Sequence, residues 1–107
     1  MADPKRLTLS HTGQAPRQLN ELVARARTLG VSKRLAACLR IIQEELQSRP
    51  LEWGEPAFHI RSLGLISCVG FNDRIRVSYG VHEREPIVFV NIVEAQLGHP
   101  LYVPPNA

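Results

Sequence analysis

The chain has 107 residues, 44% of them hydrophobic and 21% charged, which is ordinary globular usage and excludes a disordered, collagen-like or rod-like chain. No apolar run approaches the ~18 residues of a membrane span, and the opening MADPKRLTLSHTG lacks the apolar stretch of a secretory signal, so a soluble, cytoplasmic protein with no membrane partner is expected. The net charge of +3 is unevenly spread: residues 1–50 carry nine Lys/Arg against four acids, and residues 51–107 carry four against six.

Length sets the expectation of one domain over 1–107, with irregular termini at 1–13 and 98–107. In chain order, Arg6–Ser10 alternates polar and apolar residues and reads as a short edge strand. A helix is expected over 16–29. Pro16 suits its first turn, and Leu19, Leu22, Val23, Ala26 and Leu29 recur at helical steps. Gly30 fits the left-handed position that ends a helix. Ser32 then reads as the N-cap of a second helix reaching Ser48, with Leu35, Leu39, Ile42 and Leu46 on its core stripe. Pro50 stops it. The three-residue connection makes the two helices an antiparallel hairpin.

After Pro50 the hydrophobic period changes from 3.6 to 2. Leu51–Pro56 reads as a loop with Trp53 as an aromatic lid, followed by strands over 57–61 and 65–71. Asn72-Asp73 signals a turn. Arg74–His82 alternates cleanly, and Ile87–Val93 is almost continuously apolar, as a strand covered on both faces would be. The fold class expected is α+β with two layers: a helix hairpin packed on one face of an antiparallel sheet of about four strands.

The two cysteines, Cys38 and Cys68, fall in different elements and read as small buried side chains. Histidines 11, 59, 82 and 99 lie far apart, with no His-x-x-x-His or Cys-x-x-Cys spacing. Neither a metal nor another cofactor is therefore expected. Candidate chemistry gathers instead on the sheet face away from the helices. Alternation puts Arg76, Ser78 and His82 there. With Phe58 and Ile60 pointing inward, His59 and Arg61 join them. Arginines hold phosphates by forked hydrogen bonds, and a histidine titrating near neutrality can move protons. The same pattern also describes an ordinary solvated sheet face.

A short N-terminal strand, a helix hairpin and a meander, with Arg76-Val77-Ser78-Tyr79-Gly80-Val81-His82 and Ile87-Val88-Phe89-Val90-Asn91-Ile92 as its last strands, resembles the RelE/ParE toxin superfamily of bacterial toxin–antitoxin systems. The resemblance runs from about Leu19 to Tyr102. It implies a small antitoxin protein as partner and one of two activities. A RelE-like member is a metal-free endoribonuclease acting on mRNA at the ribosome. There Arg61 and Arg76 would hold the phosphate, His82, His99 or Tyr102 would act as acid or base, and His59 and Arg74 would touch RNA. A ParE-like or degenerate member binds protein only, DNA gyrase being the ParE-like target. Gln96 stands where RelE-like enzymes often have a second arginine, and the sheet half has no lysine. Both departures favour the non-catalytic alternative.

Overall fold

The computed structural model describes residues 6–104. Five strands and three helices follow one another as β1 (Thr8–His11), α1 (Ala15–Leu29), α2 (Ser32–Ser48), α3 (Pro50–Trp53), β2 (Glu55–Ile60), β3 (Leu65–Asn72), β4 (Ile75–His82) and β5 (Ile87–Ala95), with a 3-10 turn over Arg61–Leu63. The protein is α+β, as its patterning implies. The sheet is mixed rather than antiparallel and has five strands in the order β1-β5-β4-β3-β2. The meander β2 to β5 is antiparallel, while β1 runs parallel to β5, pairing Thr8 with Ile87 and His11 with Val90.

Gly30 closes α1 in the left-handed conformation (φ 73°) that glycine adopts without a Cβ clash, its N–H turned to the Ala26 and Arg27 carbonyls. Ser32 is the first residue of α2 rather than its cap, and Val31 stands at the cap position with no side-chain bond. Pro50 does end α2, but it also opens α3 in place of the expected loop, since proline suits a first helical turn.

The core lies between the hairpin and one sheet face. α1 contributes Ala15, Leu22 and Ala26; α2 contributes Leu35, Cys38, Ile42 and Leu46; the strands contribute Cys68, Ile75, Val77, Tyr79, Val81, Val88, Val90 and Val93. Val23 and Leu29, expected on the α1 stripe, are exposed, so that stripe is narrower than its spacing suggests. Trp53 does act as a lid. Its ring stacks on Tyr79 with centroids 5.9 Å apart and lies over Gly70, where a Cβ would fall 2.3 Å from the indole.

Both helices are spent on this one face. β5, read from its apolar run as covered on both sides, is covered on one. Its outward residues Phe89 and Ile92 are only partly buried.

Candidate functional site

Pairing register decides which residues share the open face. Tyr79 is fully buried on the helix side, so Arg76, Ser78, Gly80 and His82 point the other way. This much follows from alternation in β4. β2 behaves differently. A register shift between Pro56 and Phe58 reverses its facing, so that Phe58 lies opposite Ser67 and His59 opposite Ile66. Phe58 therefore belongs to the open face and His59 to the helix side, the reverse of the simple alternation. A bulge costs one residue of period, and no composition signal at Ala57 announces it. Arg61 leaves the sheet altogether in the 3-10 turn.

The predicted residues do not converge. At one end of the sheet, His59 Nε2 meets Glu83 Oε1 at 2.6 Å. Nearby, His82 Nδ1 accepts the backbone N–H groups of Arg84 and Glu85 at 3.1 and 2.9 Å and so caps the turn into β5. Six residues along β4, about 20 Å at ~3.3 Å per residue, Arg76 Nη1 donates to Glu94 Oε1 at 3.0 Å. Arg74 sits in a left-handed turn with Asp73 (φ 58° and 48°), not in the strand, and donates to the Leu97 carbonyl. The Arg34 guanidinium grips Asp73 through two bonds of 2.7 and 2.8 Å and holds its carboxyl below the usual range. Tyr102 lies at the same end, in a cleft between α1 and the end of β5.

His99 is 5% exposed. Its Nδ1 accepts the Leu101 N–H at 3.0 Å, and its Nε2 is buried with no partner among the described residues. Burial, then the Arg34 charge, push its pKa below the usual histidine value, against an opposing pull from Asp73. The folded state therefore resists a proton that the unfolded chain accepts at about pH 6.5. The histidine's contribution is complete above that pH and is lost as pH falls through the depressed folded value. In His99→Asn the amide oxygen can still accept from Leu101. The loss of stability between pH 7 and pH 5, read from urea midpoints, is expected to be smaller in this variant than in the native chain. Parallel pH profiles would refute the assignment.

Cys38 and Cys68 are buried free thiols, and burial raises the pKa of both. They are inert in that state. No group of three or more His, Cys, Asp or Glu able to hold a metal occurs among the described residues. No helix there is long and apolar enough to cross a membrane.

Two features escaped the sequence reading. One is the character of the open face. Phe58 and Phe71 are 60% and 56% exposed there. Leu65, Val69, Phe89 and Ile92 lie between them, around a shallow centre of Ser67, Ser78 and Gly80. The signal was present: an apolar run in β5, with only enough helix to cover one side. The other is Glu94, which neutralises Arg76 from the neighbouring strand. A groove of about 670 Å³ between the hairpin and β1, walled by Leu9, Leu19, Leu39 and Val90, contains none of the predicted residues. No protein-family model, curated protein or solved structure matches the chain.

Proposed function

We propose that the chain is a RelE/ParE-like toxin-fold protein that works by binding another protein, a small antitoxin and a cellular target, rather than by cutting RNA. The observation that carries this reading is the uncovered apolar face of the sheet. A sheet face left to water is normally polar. A contiguous apolar patch with exposed aromatic side chains marks a surface for a partner. The order of strand, helix hairpin and meander, on which the resemblance rests, supports the superfamily. The engagement of His82 with its turn, of His99 with the tail and of Arg76 with Glu94 weighs against a nuclease set.

Induced expression in a bacterium tests it. Growth arrest is expected with the native chain and with Arg76→Ala, and is expected to vanish in the double variant Phe58→Asp, Phe71→Asp. Both phenylalanines are mostly exposed, so the double variant should fold. Pulse-labelled translation should not collapse in the first minutes. A chain that never arrests growth would remove the toxin reading.

The endoribonuclease is the second reading, favoured by one observation: Glu94, the partner of Arg76, lines the same cleft as Tyr102. It requires the opposite result, a rapid collapse of translation that Arg76→Ala abolishes.

A further inference from the structure

Eleven of the thirteen cationic side chains are arginines. Only two of these, Arg25 and Arg76, are partly withdrawn from solvent. Arg76 has its carboxylate in Glu94. Among the described residues Arg25 has none, and its Nε is buried there without a hydrogen-bond partner. A desolvated guanidinium nitrogen without an acceptor is unfavourable, and native structures keep one rarely.

Arg25 lines a cleft of about 290 Å³ between α1 and the end of β5. Tyr102 lines it too, and Leu22, Val93, Leu101 and Val103 supply apolar wall. Two carboxylates border it: Glu94 is hydrogen-bonded to Arg76 at 3.0 Å, and Glu21 lies 4.0 Å from the exposed Arg17. Arg25 is the one cation among the described residues that line the cleft.

We infer that this cleft is a binding site for a small oxyanion carrying an apolar group, held by the Arg25 guanidinium with Tyr102 beside it. The planar fork of arginine fits carboxylate and phosphate alike, and a partly desolvated setting strengthens the contact. The volume corresponds to roughly ten water molecules. It has room for a short organic acid or a small phosphomonoester. The endoribonuclease reading draws on the same cleft through Tyr102 and Glu94, so direct binding, rather than growth or translation, tests its occupant.

The test uses the full-length, 15N-labelled chain. Its Arg25 Nε–H and the amides of Ala95 and Gln96 are followed by NMR while sodium benzoate or sodium phosphate is added at constant ionic strength. A saturable shift is expected with at least one of them. Saturation by benzoate identifies the carboxylate class, and saturation by phosphate the phosphomonoester class. Arg25→Gln is expected to weaken binding about tenfold or more, as the loss of a charge-assisted bond does. Tyr102→Phe keeps the ring and is expected to weaken it severalfold. A shift that stays linear with both anions, or binding unchanged in both variants, overturns the site.

Discussion

Tyr79→Phe is expected to cost about 2–5 kcal/mol of stability, because one hydroxyl satisfies two buried backbone groups. The Tyr79 O–H donates to the Pro50 carbonyl and accepts the Gly54 N–H at 3.0 Å. These two bonds fasten α3 and the start of β2 to the middle of β4. Burial, with the neighbouring Cys68, pushes the phenol pKa well above its usual value, so the proton stays in place to be donated at any working pH. Phenylalanine would fill the same space and leave both backbone groups unpaired. Urea denaturation reads the effect as a lower midpoint with unchanged slope. A loss under about 0.5 kcal/mol, the range of ordinary surface changes, would show that water replaces the hydroxyl. The same crowding leaves no freedom at Gly54, where a Cβ would lie 2.3 Å from that oxygen and 2.8 Å from the Val69 carbonyl.

Leu101→Ala is expected to cost about 2–5 kcal/mol, the usual range for truncating a buried leucine. Leu101 belongs to the irregular tail beyond β5, yet it is among the most buried side chains of the protein. Its N–H is held by His99 Nδ1, and the Tyr102 N–H by the His99 carbonyl, so local bonds shape the tail and the burial of Leu101 seats it on the domain. The comparison is Val103→Ala, two residues on and half exposed, whose effect should stay within about 0.5 kcal/mol. Hydrogen exchange at Tyr102 should accelerate in Leu101→Ala and not in Val103→Ala. Equal midpoints for the two variants would mean that the tail adds nothing to the core.

The helix hairpin, the change of period after Pro50 and the meander were legible because they rest on short-range rules. The 3.6-residue stripe of Leu35, Ile42 and Leu46, the left-handed Gly30 and the strict alternation of β4 each follow from local geometry, and the structure keeps all three. Local pattern is therefore enough to set the α+β class and the outward face of β4. What it could not determine is set by contacts between distant residues. The parallel pairing of β1 with β5 joins positions about eighty residues apart. The shift at Ala57, which sends Phe58 outward and His59 inward, exists only against the partner strand β3. Register has no local signature, and a single extra residue inverts every side chain beyond it. For the same reason, only the folded chain places His59 and His82 at one end of the sheet and Arg74 and Arg76 toward the other, sets Glu94 against Arg76, and puts Arg25 in a cleft with no ion-pair partner among the described residues.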